Sequence, residues 1–262
     1  MLMRRTRLGI ALVAAGTLAG TTALLAPTAS ADETLSPYEA PADYYNDAEG
    51  KSGDELKAAL NDIISGHEEL SYDGVKDAIP DTDSDPENDG NVILLYTGNS
   101  EPDGGEWNRE HTWAKSHGDF GTSKGPGTDL HHLRPTNPTV NSTRSNLDFD
   151  EGGEEVEDAP GNFYDSDSFE PRDEVKGDVA RMILYMDVRY EGEDGELDLQ
   201  ANDEVENGKQ PLHGKLSVLK QWNEEDPPDD FEMKRNDVIF EDYQKNRNPF
   251  IDHPEWVNEI WA

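Results

Sequence analysis

The apolar residues of this chain lie in short segments that are separated by acidic loops containing Pro and Gly. Apolar residues recur at helical spacing within residues 52–65 and 174–190, and residues 91–96 form a short apolar run typical of a buried strand. Two further helices are predicted over residues 213–222 and 232–246. The acidic loops are expected at residues 77–90, 148–158 and 191–208. Short elements of both kinds, without an internal repeat or a long linker, predict a single α+β domain.

The N-terminal residues have the composition of a secretory leader rather than that of a folded segment. Arg4, Arg5 and Arg7 precede an apolar run over residues 8–26, and the small residues 29–31 suit cleavage. We therefore expect residues 1–31 to be removed and residues 32–262 to form an exported domain without membrane attachment. A permanent membrane anchor is the alternative, and the Ala-, Gly- and Thr-rich composition of the run argues against it.

The charge of the chain is strongly negative but unevenly distributed. The formal charge is -36, from 58 acidic and 22 basic residues, and this disfavours a nucleic-acid binder with a broad basic face. Cysteine is absent, which excludes disulfides, thiolate metal sites and cysteine nucleophiles. Residues 107–147, in contrast, carry more cations than acids and hold most of the histidines of the chain. A cationic, imidazole-rich segment in such an acidic chain predicts a site for an anionic substrate.

The residue types within this segment suit metal-assisted hydrolysis. Glu110 offers a carboxylate beside His111, whose imidazole can act as a general base because its ordinary pKa lies near neutrality. Mg²⁺ prefers oxygen ligands and keeps several waters, so one carboxylate and one amide oxygen can hold it once a phosphate completes the shell. Asn141 supplies an amide on a short helix that Pro138 can begin. A strand over residues 130–133 is expected before that helix.

Other interpretations of the same residues remain open. His111, His117, His131 and His132 suggest a zinc site, although adjacent residues on a strand point to opposite faces and cannot easily share an ion. His111 can alternatively be a buried structural histidine, and Glu110 and Asn141 can be capping or surface residues.

Three residues are expected to support the site by hydrogen bonding instead of binding metal: His131, Asp129, which would orient His131, and Asn146. Residues 81–90 alternate acids like a calcium loop but lack the expected Gly and Glu positions, so a solvated acidic loop is the simpler interpretation.

Five segments of the chain resemble the bacterial endonuclease I family of secreted or periplasmic non-specific nucleases. They are WNREHTW at 107–113, DLHHLRP at 129–135, NSTRSN at 141–146, EPRDEVKGDVAR at 170–181 and NRNPFIDHP at 246–254. The resemblance covers most of residues 32–262. It implies a ββα-metal (His-Me finger) core surrounded by several helices. It also implies that His111 is the general base, that Glu110 and Asn141 hold one Mg²⁺, and that the products carry 5'-phosphates.

The sequence departs from the family pattern at the cation that contacts the substrate phosphate. The family uses an Arg from the loop after the general base, and residues 112–128 contain no Arg. Lys124 is our first candidate for this role and Arg144 the second. Arg109 and Arg181 are further candidates for substrate contacts, although Arg181 can equally form a salt bridge on a helix face.

Together these features predict an exported, monomeric, Mg²⁺-dependent endonuclease that degrades DNA and also RNA without sequence specificity. Mn²⁺ and Ca²⁺ are alternative ions. The acidity of the chain further predicts tolerance of salt, because added ions screen repulsion between the protein and a polyanion. A secreted metal phosphodiesterase acting on small or lipid phosphates is one alternative. A non-catalytic, acidic calcium-binding protein is the other.

Overall fold

Eight α-helices are found in a computed structural model that describes residues 39–192 and 195–262. They are α1 (Gly53–Ile64), α2 (Tyr72–Thr82), α3 (Pro138–Arg144), α4 (Lys176–Arg189), α5 (Leu216–Glu225), α6 (Asp230–Val238), α7 (Pro249–Asp252) and α8 (Trp256–Ile260). A π-helical segment, Ile239–Tyr243, continues α6. The predicted leader, residues 1–31, lies outside the described residues.

The strands are short and belong to four small sheets among the described residues. They are β1 (Asn91–Ile93), β2 (Ser100–Pro102), β3 (Asn108–His111), β4 (Leu133–Thr136), β5 (Asp148–Phe149), β6 (Glu154–Glu155), β7 (Phe163–Tyr164), β8 (Ser168–Glu170), β9 (Gln200–Ala201) and β10 (Leu212–His213). β1 pairs with β2, β3 with β4 and β9 with β10, while the fourth sheet has the order β5-β8-β7-β6. The predicted α+β class is confirmed.

Helix α4 forms the centre of the larger hydrophobic core. It packs against α1, α5 and α7, and every residue after Lys176 is buried. Its charged side chains are therefore paired inside the protein: Arg181 with Glu232, and Asp187 with Lys57. Pairing of this kind is required because an unpaired buried charge would strongly destabilise the fold.

A second hydrophobic cluster lies beneath the β3–β4 hairpin. Val75 and Ile79 of α2 pack there with Val92, Leu133 and Ile239. This cluster fixes α2 against the hairpin, so residues more than thirty positions apart in the sequence line the same surface. None of the described helices is long and apolar enough to cross a membrane.

Several predicted boundaries are wrong. The expected acidic loop at 77–90 begins inside α2, because Ser71 caps that helix and Val75 and Ile79 supply a buried face that extends past Pro80. The strand expected at 130–133 is a 3-10 turn over Leu130–His132, and β4 begins only at Leu133.

The helices expected at 52–65 and 174–190 are confirmed within two residues of their observed bounds. The helix expected at 213–222 begins later, at Leu216, because residues 212–213 pair as β10. The helix expected at 232–246 begins at Asp230 and ends its α-helical part at Val238. The strand expected at 91–96 ends at Ile93.

The residues of the proposed calcium loop are committed to hydrogen bonds within the protein. Asp83 is fully buried and accepts hydrogen bonds from Arg134 and Arg235. Asp85 accepts from the backbone of Glu87 and from the side chain of Asn88. These carboxylates are therefore not free to converge on a cation.

Candidate active site

A two-stranded hairpin followed by a helix positions the predicted catalytic residues. β3 and β4 are antiparallel, with Glu110 opposite Arg134 and His111 opposite Leu133. Asn137 follows β4 directly and caps α3, since its side chain accepts hydrogen bonds from the second and third residues of the helix. The pairing of β3 with β4 across residues 112–132, and the start of α3 directly after β4, bring Glu110, His111 and Asn141 to one surface.

These residues line a cleft of about 880 Å³. Its walls are formed by the N-terminal half of α2, by residues 107–111, by residues 114–116 and by the C-terminal half of α3. The lining contains one acid, Glu110, and four cations, which are Lys76, Arg109, Lys115 and Arg144. The cleft is thus cationic although the whole chain has a charge of -36.

Glu110 is buried with one carboxylate oxygen occupied. Tyr96 donates its hydroxyl to Oε1 at 2.7 Å, and the Arg144 guanidinium lies 3.3 Å from the same atom. Oε2 has no donor among the residues that the structure describes. Burial raises the pKa of Glu110 above its ordinary 4.5, while Arg144 and Tyr96 oppose that rise. The arrangement leaves one oxygen available to a cation.

The side-chain amide of Asn141 is oriented so that its oxygen also remains available. Its Nδ2 donates to the side-chain oxygen of Asn108 at 2.8 Å and to the backbone oxygen of Arg109 at 3.4 Å. Because both donors of the amide point toward β3, Oδ1 is directed elsewhere and has no donor among the described residues. Glu110 Oε2 and Asn141 Oδ1 are therefore two hard oxygen atoms on one cleft, which fits the donor set that Mg²⁺ prefers.

His111 lies beside them as a neutral imidazole. Its Nε2 is 3.2 Å from the backbone oxygen of Gly127, an atom that can only accept, so the hydrogen of the neutral ring belongs on Nε2. Burial holds the pKa of His111 well below its ordinary 6.5, and the nearby ring of His132 acts in the same direction. Nδ1 consequently keeps its lone pair, and His111 lines the cleft. This is the protonation state that a general base requires.

Arg144 is buried, which excludes the predicted substrate contact. Its guanidinium donates to the backbone oxygens of His111 and Thr112, lies against Glu110 and donates to Nε2 of His213. Its Nε–H has no hydrogen-bond partner among the described residues, but it is buried with the rest of the side chain, which is only 1% exposed and so does not reach a bound phosphate. Arg144 instead fixes the backbone and the carboxylate of the two candidate catalytic residues.

Of the other predicted substrate contacts, only Arg109 lines the cleft. Its guanidinium lies 3.5 Å from the ring centre of Tyr72. Arg181 is fully buried and paired with Glu232, so the salt-bridge interpretation holds and the phosphate contact is wrong. Lys124 is exposed but outside the cleft lining, and its Nζ donates to the backbone oxygen of Glu69 at 3.1 Å.

The predicted supporting residues have different surroundings. Asp129 accepts hydrogen bonds from the backbone N–H of His131 and from the hydroxyls of Tyr185 and Tyr190, all at 2.9 Å. It therefore stabilises the turn and makes no hydrogen bond to the His131 ring in the described structure. The ring of His131 faces Asn246, away from the cleft.

Asn146 does line the cleft. Its backbone oxygen lies 2.9 Å from Nε2 of His117, and its side chain accepts from Ser145. A support role for Asn146 at the site stays a prediction.

The four-histidine zinc interpretation is replaced by a different cluster. His117, Asp148 and His213 bring ligand atoms within 4.8 Å of one another in the described part of the chain. The ring nitrogens of both histidines already lie within hydrogen-bond distance of other protein groups, so an ion would have to displace those contacts. Arg144 can only donate to Nε2 of His213, which assigns the ring hydrogen to Nδ1, 3.1 Å from a backbone oxygen. Both ring nitrogens of His117 also face backbone oxygens, at 2.8 and 2.9 Å. Within this cluster, His213 accepts a hydrogen bond from Arg144 and helps to hold it in place.

Sequence reasoning missed five residues of this site. Tyr72 stacks on the His111 ring at 5.9 Å between ring centres, Lys76 and Lys115 line the cleft, Tyr96 holds Glu110, and His213 holds Arg144. Only Lys115 lies within four residues of a predicted catalytic residue. The others come from distant segments, and nothing in their local sequence marks them.

Comparison with known proteins agrees with the geometry. The sequence model of the endonuclease I family matches residues 52–255. The extracellular ribonuclease of Bacillus subtilis (strain 168) is 61% identical over 248 residues, covering 92% of this chain and 85% of that protein. The extracellular ribonuclease of Bacillus amyloliquefaciens is 59% identical over 249 residues, covering 93% of this chain and 86% of that protein. The chain is therefore a member of the endonuclease I family and an enzyme that hydrolyses phosphodiester bonds.

Proposed function

We propose that this protein is an exported nuclease that hydrolyses DNA and RNA without sequence specificity, with a divalent cation held by Glu110 and Asn141. The proposal rests on two oxygen atoms that accept no hydrogen bond from the described residues, Glu110 Oε2 and Asn141 Oδ1. Both line a cationic cleft beside the neutral imidazole of His111. The names of the two Bacillus relatives support RNA as a substrate and export as the destination.

His111 acts as the general base in this proposal. Its Nδ1 accepts a proton from a water molecule as the water oxygen forms a bond to phosphorus. The bond between phosphorus and the 3'-oxygen then breaks, which leaves a 5'-phosphate and a 3'-oxyanion that takes a proton from solvent water to become the 3'-hydroxyl. The hydrogen bond from Nε2 to Gly127 keeps the lone pair on Nδ1, and Tyr72 holds the ring plane. A bound Mg²⁺ would supply charge stabilisation to the phosphate and to the leaving oxygen.

Absence of sequence specificity is expected from the composition of the cleft. Base reading in duplex DNA requires Arg, Asn or Gln side chains presented from a helix or ribbon into the major groove. Here Arg109 is held against Tyr72, and Asn141 is held against Asn108. Of the other cations that line the cleft, Arg144 is buried, and Lys76 and Lys115 are lysines, which suit contact with phosphate as point charges.

The catalytic assignment is tested by substituting His111. His111→Ala should lower kcat on plasmid DNA and on structured RNA by roughly 10²- to 10⁴-fold, the usual contribution of a general base. His253→Ala is the matched control, because His253 lies outside the cleft and stacks on Trp256. Activity near that of the unsubstituted enzyme in His111→Ala would exclude the base role.

The metal assignment is tested by titration after chelation. Activity should disappear in excess chelator and return with Mg²⁺, with Mn²⁺ and Ca²⁺ as comparison ions. Asn141→Ala should raise the Mg²⁺ concentration needed for half-maximal activity, whereas Asn258→Ala, on α8, should leave it unchanged. An Asn141→Ala enzyme with an unchanged Mg²⁺ requirement would exclude Asn141 as a ligand.

Salt tolerance is part of the same proposal. At low ionic strength the net charge of -36 repels a polyanion over the whole surface, and at ~1 M salt the Debye length of ~3 Å removes that repulsion. We expect activity on long DNA to be held or increased as NaCl rises from low concentration. A steep and continuous fall in activity over the same range would contradict this expectation.

A further inference from the structure

Three of the four cations that line the cleft lack acidic partners in the described part of the chain, whereas the buried arginines each have one. Elsewhere the buried cations are paired with carboxylates, as Arg134 is with Asp83 and Arg247 with Asp252. Lys76, Arg109 and Lys115 have no carboxylate within ion-pair distance in the part of the chain that the structure describes. In a protein with 58 acidic residues, a group of unpaired cations on one surface requires an explanation.

Lys115 lies close to the reacting centre. It lies in the segment after β3, four residues beyond His111, is exposed, and lines the same cleft as Glu110 and His111. With no carboxylate partner in the part of the chain that the structure describes, its charge is available to a phosphate bound beside those two residues.

Lys76 lies on a different wall of the cleft. It is exposed on α2, one helical turn after Tyr72, so the two residues share a face of that helix. Tyr72 contacts Arg109 and His111, and this places the α2 face beside the hairpin. A cation on this wall, one helical turn beyond the residue that contacts His111, is positioned for a phosphate next to the scissile one.

Resting on the proposed function, we propose that Lys115 and Lys76 form a phosphate track for one nucleic-acid strand. Lys115 contacts the scissile phosphate and Lys76 contacts a neighbouring phosphate of the same strand. Lys115 thus takes the role that the sequence suggested for Lys124, whose amine is directed to the backbone of Glu69 outside the cleft lining. The track makes the substrate a chain with at least two phosphates and leaves single-phosphate diesters with one contact.

The experiment compares hydrolysis of a twelve-nucleotide oligonucleotide with hydrolysis of thymidine 5'-(4-nitrophenyl phosphate). The second substrate is a diester with a single phosphate and a coloured leaving group. Lys115→Ala should lower kcat/KM on both substrates by roughly 10- to 100-fold, the range for a hydrogen bond to a charged group. Lys76→Ala should raise KM for the oligonucleotide by a similar factor and leave kcat/KM for the single-phosphate diester unchanged. Each variant should also reduce the dependence of log KM on log salt by about 0.7, as expected for one lost single-strand phosphate contact.

Two lysine variants outside the cleft complete the design. Lys209→Ala is the matched control, since Lys209 is exposed and its amine has no partner among the described residues. Lys124→Ala tests the assignment made from sequence. All four side chains are exposed, so circular dichroism melts should show unchanged folding.

The outcomes separate the track from the nuclease proposal. If the unsubstituted enzyme cleaves neither substrate with any of the three divalent ions, the nuclease proposal fails. If it cleaves them and Lys76→Ala and Lys115→Ala behave like Lys209→Ala, only the track is excluded. Loss of single-phosphate hydrolysis in Lys76→Ala would also overturn the track, because that result would place Lys76 at the reacting centre. A large effect in Lys124→Ala alone would return the phosphate contact to Lys124.

Discussion

Removal of the Arg144 guanidinium should damage both the stability of the enzyme and its use of metal. The side chain is buried and makes four contacts: with the backbone oxygens of His111 and Thr112, with Glu110 Oε1 and with Nε2 of His213. Arg144→Met fills similar space with an apolar chain and removes every donor. Arg144→Lys keeps the charge but has no planar fork with which to contact two carbonyl oxygens at once.

The magnitude follows from what the substitution leaves behind. Glu110 would keep the Tyr96 hydrogen bond but lose its only cation within ion-pair distance among the described residues. Removing one partner of a buried ion pair usually destabilises a protein by about 3–5 kcal/mol. For a domain of this size each kcal/mol corresponds to a fall in Tm of about 2–4 °C, so Arg144→Met should melt roughly 6–20 °C lower. Loss of the cation would also raise the pKa of Glu110 further, which favours the protonated form and weakens metal binding.

The assay is a pair of measurements on the same preparations. Thermal unfolding by circular dichroism reports the stability, and the Mg²⁺ concentration for half-maximal activity, measured well below Tm, reports the metal site. Arg144→Lys should fall between Arg144→Met and the unsubstituted enzyme in both. Arg172→Met is the control: Arg172 is partly buried and donates to the backbone of Leu95 but does not line this cleft, so the Mg²⁺ requirement should not change. An Arg144→Met enzyme that melts within 2 °C of the unsubstituted enzyme, or needs no more Mg²⁺, would refute the reasoning.

Other outcomes follow from the same contacts. Tyr96→Phe should destabilise the fold by about 1–3 kcal/mol in a denaturant melt, because a buried carboxylate oxygen loses a donor. Burial lowers the pKa of His131 and of His132 to about 4, so the unfolded chain binds more protons than the folded chain between pH 6.5 and 4. As the pH is lowered through this range, the free energy of unfolding should fall by about 3 kcal/mol per histidine. His132→Gln should make the free energy of unfolding depend less on pH, and an unchanged slope would count against this assignment. Because the pKa of His111 is lowered, kcat/KM should stay flat from pH 8 to 6.5 and decline only below that; a decline beginning above pH 7 would contradict a depressed pKa.

The part of the site that sequence reasoning located is local in the chain. Glu110 and His111 are adjacent, and Asn141 lies one helical turn into α3, which follows the partner strand of β3, so the pairing of β3 with β4 brings them together. Lys76 could not be found in this way, because its position depends on α2 packing against the hairpin through Val75 and Ile79. An exposed lysine carries no pattern that reveals which distant segment it faces.

The wrong assignments share a physical cause. The sequence makes Arg144 a candidate for phosphate contact and leaves Arg181 open between phosphate contact and a salt bridge, because it does not show what covers either side chain. In the fold, α4 is buried on all sides, and its Arg181 forms an ion pair with Glu232 of α6. Arg144, at the end of α3, is directed toward β3 and donates to the backbone oxygen of His111. Burial of a charged residue is decided by its partner, and both partners belong to other elements. A charge pattern in one helix therefore cannot distinguish a substrate contact from an internal ion pair.

The distribution of charge also explains how a protein this acidic can act on a polyanion. A broad cationic footprint that neutralises 6–10 phosphates loses roughly 10³- to 10⁵-fold in affinity between 50 and 200 mM salt. The two lysine contacts and the single metal-held phosphate proposed above would replace far fewer counterions, so the attractive part of binding should depend weakly on salt. The repulsive part comes from the acidic surface and is the part that salt screens most effectively. The same arrangement that weakens binding at low ionic strength is therefore expected to make the activity insensitive to salt, provided that Lys76 and Lys115 remain unpaired.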